Sequence, residues 1–293
     1  MGFERELAPE LSLRFTYINK RYRDQLQDRD INHSIRYFDG RPQDTLGDFL
    51  PSRAGASAQR IKDNKPDLYI SNFFFNQIFR VGNINTSFYR GVEIQLTKRL
   101  SRKWQMDASY IYSRNLQQAG SFDSSLGDDP ATVGQEFGYA EDDLRHVVKF
   151  NAITYLPKDW QVGATMSWNS GLPYSVVSNF LALDNFDYPQ FRVLYGYVPD
   201  RVTEENPNRD FQILRRNDRR NDPVFNIDVL GRKSFVLGKL NAKVSFTVQN
   251  LLNKDHLRIF TYEPAAPDRS GFTQIDSERN FGRRFQAGIE FEF

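Results

Sequence analysis

The last eleven residues, Arg283 to Phe293, constrain this chain more than any other stretch. Phe285, Ala287, Ile289, Phe291 and Phe293 take every odd position from 285 on, and Gln286, Gly288, Glu290 and Glu292 stand between them. Period two is the signature of a strand, because successive side chains of an extended chain point to opposite faces. One face of this strand therefore meets an apolar medium and the other meets water.

The same plan recurs upstream. Leu11, Leu13, Phe15 and Tyr17 alternate with Ser12, Arg14 and Thr16, after a strand tail at Phe3 to Leu7 and a tight turn at Ala8-Pro9-Glu10. Three hairpins follow. The first pairs Phe88 to Leu100 with Trp104 to Tyr112, the second Arg145 to Leu156 with Trp160 to Asn169, and the third Val224 to Phe235 with Leu240 to Gln249. In the last of these strands Leu240, Ala242, Val244, Phe246 and Val248 oppose Asn241, Lys243, Ser245, Thr247 and Gln249 without exception. The stretch from Arg21 to about Ser87 reads as long and irregular, with extended pieces at Ile31 to Phe38 and Leu68 to Val81.

The connections alternate too. Turns of three or four residues near positions 102, 158 and 238 are separated by excursions over Asn115 to Leu144, Ser170 to Pro223 and Asn253 to Phe281. Short turns at one rim and long loops at the other are what a transmembrane barrel shows. If the terminal strand descends to the periplasm, every long loop falls outside. Aromatic spacing agrees: Trp104 recurs as Tyr112 and Trp160 as Trp168, eight residues later in each strand. Eight residues at about 3.3 Å each, tilted by about 40°, rise about 20 Å, near the apolar band of about 25 Å between aromatic girdles.

Composition removes other classes. No run of eighteen apolar residues exists among the 293, which excludes a helical membrane span. The absence of cysteine excludes a disulfide framework and thiolate metal sites. A mean hydropathy of −0.62 suits a barrel as well as a soluble chain, since only alternate residues of each strand touch lipid. His33, His146 and His256 are isolated, and no glycine-rich phosphate loop follows a strand. Asp24, Asp28 and Asp30 lack the glycine and terminal glutamate of a calcium loop and read as solvated loop charges. No catalytic residue, metal site or cofactor is expected, and no nucleic-acid partner.

Several motifs carry a family resemblance. Tyr89-Arg90-Gly91-Val92-Glu93 through Lys98-Arg99, then Trp104 and Ser109-Tyr110-Ile111-Tyr112-Ser113, resemble the Y-x-G-x-E-x-x-x-x-K-R and W-x-x-x-x-S-Y-x-x-S hairpin of TonB-dependent outer-membrane receptors. Asp143-Leu144-Arg145-His146-Val147, Ser170-Gly171-Leu172-Pro173-Tyr174-Ser175 and Val248-Gln249-Asn250-Leu251-Leu252-Asn253 resemble its later landmarks in order, and Phe293 its aromatic end. Gly2 to Leu7 resembles an interior strand of the Oar-like branch.

The resemblance implies a barrel of about twenty-two strands around a plug, a TonB complex that pulls on the plug, and assembly machinery that reads the closing strand. Eight full strands and a stub are legible here, with no plug, TonB box or signal peptide. The expected fold is therefore all-β: a partial antiparallel transmembrane barrel of about eight to ten meander strands with long extracellular loops. Residues 1–293 would form the C-terminal part of a receptor for a large, unidentified ligand in the cell outer membrane.

The residues singled out follow from that reading. Phe285, Ala287, Ile289, Phe291 and Phe293 form the insertion signal, and Trp104, Tyr112, Trp160 and Trp168 the aromatic girdle against membrane lipid. Arg215, Arg216, Arg219 and Arg220 are candidates to meet lipopolysaccharide phosphates or an anionic ligand. Phe73-Phe74-Phe75 and Phe180 to Tyr197 could line a ligand vestibule, and Ile153 and Tyr155 fall on the lumen side. The rival reading is a soluble or surface β-sandwich that binds carbohydrate through aromatic loops.

Overall fold

The computed structural model describes residues 1–37, 66–70, 72, 74–75, 78–118, 136–178, 194–197, 212–238, 240–263 and 274–292. Phe73, Phe293 and most of the run from Phe180 to Tyr197 lie outside them. The strands are β1 (Gly2–Ala8), β2 (Leu11–Asp30), β3 (His33–Tyr37), β4 (Pro66–Ile70), β5 (Phe79–Ser101) and β6 (Trp104–Gln117). There follow β7 (Gly138–Tyr139), β8 (His146–Leu156), β9 (Trp160–Asn169), β10 (Pro173–Ser178), β11 (Leu194–Tyr197) and β12 (Gln212–Ile213). The last are β13 (Arg219–Arg220), β14 (Val224–Leu237), β15 (Leu240–Gln249), β16 (Leu257–Glu263), β17 (Gln274–Arg279) and β18 (Arg284–Glu292).

Nine of these make one antiparallel wall in the order β1-β2-β5-β6-β8-β9-β14-β15-β18, with β7 added beside β6. Every neighbour in that order is the next long strand in the chain, so the wall is an uninterrupted meander. It is open, with β1 and β18 as its two edges among the described residues. The partial-barrel expectation holds, and the sandwich does not. A sandwich needs two sheets pressed together through their apolar faces, whereas here Phe246 keeps 50% of its surface exposed, Phe285 64% and Ile289 65%.

Register fixes which residues share a face. Trp104, Met106, Ala108, Tyr110 and Tyr112 of β6 stand opposite Thr154, Ala152, Phe150, Val148 and His146 of β8. The row continues through Trp160, Ala164 and Trp168 of β9 to Phe225, Val229 and Lys233 of β14. Val248, Val244 and Ala242 of β15 then meet Phe285, Ile289 and Phe291 of β18. This is the outer face. The opposite face is polar and curved around a cavity of about 620 Å³, lined by Thr97, Gln105, Asp107, Asn151, Ile153 and Thr165 among others.

At the lower rim the turns are tight. Arg102 and Lys103 (φ 50° and 68°) and Lys158 and Asp159 (φ 63° and 60°) occupy left-handed backbone in pairs, the geometry of the two-residue turn that matches strand twist. None of the four is glycine.

One stretch departs from expectation. The two ends of the stretch from Arg21 to Ser87 are regular: β2 runs on to Asp30, and β5 starts at Phe79, with the ladder intact apart from bulges near Tyr22 to Leu26. Twenty residues at about 3.3 Å, tilted by about 40°, climb about 50 Å, roughly twice the apolar band. The upper half of this hairpin rises beyond the apolar band, and the residues buried there are polar, Gln27 and Asn85 among them, so nothing there selects an apolar alternation. Asp30, expected as a solvated loop charge, is instead buried at its tip and accepts the backbone N–H of Asn32 at 2.8 Å and of Ile78 at 3.3 Å.

Candidate functional site

The chain has two candidate working surfaces, the outer face of the wall and the collar above its upper rim. On the outer face the aromatic residues collect at two heights. Tyr112 and Trp168 flank the His146 ring, with centroids at 5.1 and 6.4 Å, and the Tyr110 hydroxyl lies 2.9 Å from His146 Nδ1. At the lower rim, Lys98 Nζ sits 4.1 Å from the Trp104 ring centroid and Lys233 Nζ 5.2 Å from that of Trp160. An ammonium over an indole at the end of an apolar face is what an interface between lipid and water favours, because the stem stays apolar and the charge reaches water. Register puts Trp104 level with Thr154 and Trp160 level with Leu156, so the lower pair is one step apart in height on β6 and β9, the two strands that flank β8.

The inner face carries hydrogen-bonded polar groups. Asp107 Oδ2 accepts from Gln95 Nε2 at 2.9 Å and from Thr97 Oγ1 at 2.8 Å. Near the closing edge, Lys243 Nζ lies 3.6 Å from Glu290 and 3.5 Å from Glu292, pairing the polar face of β18 with that of β15. One apolar step interrupts this face: Ile153 and Leu230 both register with Gly163 and flank it.

The collar is built from the long connections. Strands β12-β11-β10-β16-β17, with β13 beside β10, form a second sheet that draws on the segments after β9 and between β15 and β18. Asp143 is its hub, 1% exposed. Its carboxylate accepts from Arg220 and from the backbone N–H of Asn115, and Arg145 lies 3.9 Å away. Arg220 also donates to Asp143 O at 2.7 Å and Gly171 O at 3.1 Å. Arg145, Arg220 and Arg114 stack over the Tyr139 ring at 5.0, 5.1 and 5.5 Å. Burial pushes the Tyr139 phenol up, but hydrogen bonding and charge from Arg145 and Arg114 outweigh it and bring it below its ordinary value.

Two glycines allow the collar to close. A Cβ on Gly138 would fall 2.1 Å from Arg216 O, and one on Gly171 1.8 Å from Asn221 O. Both clashes are with backbone, so no side-chain adjustment relieves them.

An open meander with one lipid-facing side and one polar side has counterparts among known proteins. The family model described as outer membrane beta barrel domain matches residues 1–286. The chain belongs to that family. No curated protein sequence matches it.

Among solved structures, the outer-membrane barrel aligns with the outer membrane transporter YddB from Escherichia coli at a TM-score of 0.52 and 12% identity, over 98% of this chain and 31% of that one. It aligns with the siderophore receptor PiuA from Acinetobacter baumannii at 0.52 and 10%, over 99% and 28%. At such identities the likeness is one of fold, and the chain spans less than a third of either protein. The apolar outer face, the polar lined interior and the family together place the chain in the cell outer membrane.

The residues singled out from sequence distribute as follows in the outer-membrane barrel. Phe285, Ala287, Ile289 and Phe291 share the outer face of β18. Trp104, Tyr112, Trp160 and Trp168 are on that face at two heights. The four arginines do not act as one patch: Arg216 donates to Gln117 O at 3.3 Å and lies 3.9 Å from Glu136, and Arg220 is committed to Asp143. Arg215 and Arg219 are exposed. Ile153 lines the interior cavity as expected from its parity.

Sequence reasoning misses the roles of Asp143, Tyr139, Leu230, Lys98 and Lys233. The lysines carry a signal, since each sits at an outward position where the apolar alternation ends beside a tryptophan. Asp143 has none beyond its place in a motif, and Tyr139 has none at all.

Proposed function

We propose that this chain is the C-terminal arc of a TonB-dependent outer-membrane receptor barrel, non-enzymatic, that imports a ligand too large for porins. The carrying observation is the asymmetry of its connections. Turns of a few residues close one rim, whereas the connections at the other gather into a six-stranded sheet. A simple pore needs no such collar; a receptor needs a surface that holds ligand over its lumen. In this reading the plug lies in another part of the intact protein and packs on the inner face, where Ile153 and Leu230 offer an apolar step. The open edges at β1 and β18 support an arc of a larger barrel, because unpaired strand edges are costly in lipid.

The outer face supplies the remaining roles. Trp104, Trp160, Tyr112 and Trp168 would anchor the two interfaces, and the alternation from Phe285 to Phe293 would present the closing strand to the assembly machinery. Siderophores, the ligands named for the structurally similar PiuA, are the first class to test.

The test is accumulation of radiolabelled ferric siderophores by cells carrying the intact gene, with and without an uncoupler of the proton-motive force. Energy-dependent accumulation that disappears with the gene supports the proposal. Accumulation insensitive to the uncoupler would overturn TonB dependence.

A further inference from the structure

On the outer face of β2, β5 and β6 the register stacks side chains in level rows. Ascending from the lower rim, these rows read Leu13, Leu96 and Ala108, then Phe15, Ile94 and Tyr110, then Tyr17, Val92 and Tyr112. The next row is Asn19, Arg90 and Arg114, and the one after it Arg21, Phe88 and Leu116. The change from aromatic and aliphatic to guanidinium takes one step, about 5 Å of height for two residues of tilted strand.

Arg90 and Arg114 stand directly opposite each other across the ladder, an arrangement that destabilises a sheet by like-charge repulsion unless an anion bridges it. Asn19, Arg21, Arg90 and Arg114 are all exposed. Among the described residues no carboxylate forms an ion pair with any of these three arginines. Of the acids just after β7, Asp142 accepts from Asn115 at 3.0 Å, and Asp143 is held by Arg220 and Arg145.

Aromatic rings hold the guanidiniums in place. Arg90 lies 5.9 Å from the Phe88 centroid and Arg114 5.5 Å from that of Tyr139. Arg114 also donates to the Tyr139 hydroxyl at 3.5 Å.

We propose that Arg90 and Arg114, with Arg21 and Asn19 beside them, form a site for the phosphate groups of a lipopolysaccharide molecule whose acyl chains lie on the apolar rows beneath. The observations that commit the site to this occupant are charge and height together. A soluble anion needs no greasy rows below the arginines, and an acyl chain alone needs no arginines above them. A planar fork of donors matches phosphate oxygens. Of the run at positions 215 to 220, Arg220 meets the site only at the Tyr139 ring it shares with Arg114, and Arg216 donates to Gln117 O in the collar. The site depends on the chain lying in the outer membrane, not on what it transports.

The experiment extracts the full chain from the outer membrane of a lipopolysaccharide-bearing host in non-ionic detergent and measures retained lipid A phosphate per mole of protein. Wild-type protein is expected to keep on the order of one molecule per chain, and R90Q/R114Q to lose about tenfold. R90K/R114K should restore part of the retention, and R215Q/R219Q should leave it unchanged. Challenge with phosphatidylglycerol micelles should not strip the bound lipid.

Undiminished retention by R90Q/R114Q overturns the proposal, as does equal loss in R215Q/R219Q or ready exchange for phosphatidylglycerol. Heat-modifiable gel migration reports folding. Should the double variant fail that check, R114Q alone is read against the same criterion, with an expected loss of about threefold.

Discussion

The wall and the collar are made of the same secondary structure and are held together in opposite ways. In the wall every strand pairs with its chain neighbours, the backbone bonds are continuous, and one face is left for an outside medium to cover. Its outer residues need only be apolar, and its inner ones only polar. The collar brings together segments far apart in the chain, hides a carboxylate under two arginines, and presses backbone against backbone at Gly138 and Gly171. Sheet built on a pattern tolerates exchange within the pattern. Sheet built on particular contacts does not.

Removing Asp143 tests this contrast most severely. Asp143→Ala strands Arg220 and Arg145 beside a group that is no longer there, and breaking a buried charge pair costs about 3–5 kcal/mol. Hydrogen exchange should show lost protection in β7, β10 and β13, with β8, β9 and β14 of the wall unchanged. Loss throughout the wall would mean that the two regions fold as one unit.

A charge on the wall should discriminate between its faces. Ala164 is midway along the outer row of β9, and Ala164→Arg is expected to cost about 2–4 kcal/mol in a bilayer. Thr165→Arg, one residue on and facing the interior, should cost under about 1 kcal/mol. Denaturant midpoints in lipid vesicles measure both, and equal costs would contradict the assignment of outer and inner faces.

The glycine contact ranks next. Gly171→Ala places a methyl group where Asn221 O already lies and should destabilise the collar by about 1–3 kcal/mol, whereas Gly231→Ala, with open space around it on the outer face, should be close to neutral. Protease susceptibility of the collar segments distinguishes them. The smallest effect is a gain: Lys103→Gly removes a left-handed strain of about 1 kcal/mol from the lower turn, and the unfolding midpoint should rise without altering the collar.

Most of the wall is legible in the residues alone. Hairpins, their faces, the alternation of short and long connections and the heights of Trp104 and Trp168 follow from local periodicity, because each strand residue is sorted by the medium its own face meets. The upper halves of β2 and β5 are not legible in this way, since they rise beyond the apolar layer and no alternation is selected. Leu230 escapes notice because its neighbours Asp228 and Arg232 mark that face as polar. The basic run is visible as composition, yet nothing local separates Arg220, which turns to a carboxylate 77 residues earlier in the chain, from exposed Arg219.

Local pattern suffices to make this chain a ribbon with two solvents, folded back and forth across an apolar layer, because a period of two acts residue by residue and needs no knowledge of distant parts. Two things were left to the folded molecule: how the loops knit into a collar around Asp143, and that Arg90 meets Arg114 one row above the aromatics. Each depends on register and on which distant segments meet in space, and neither is written in any short stretch of the chain.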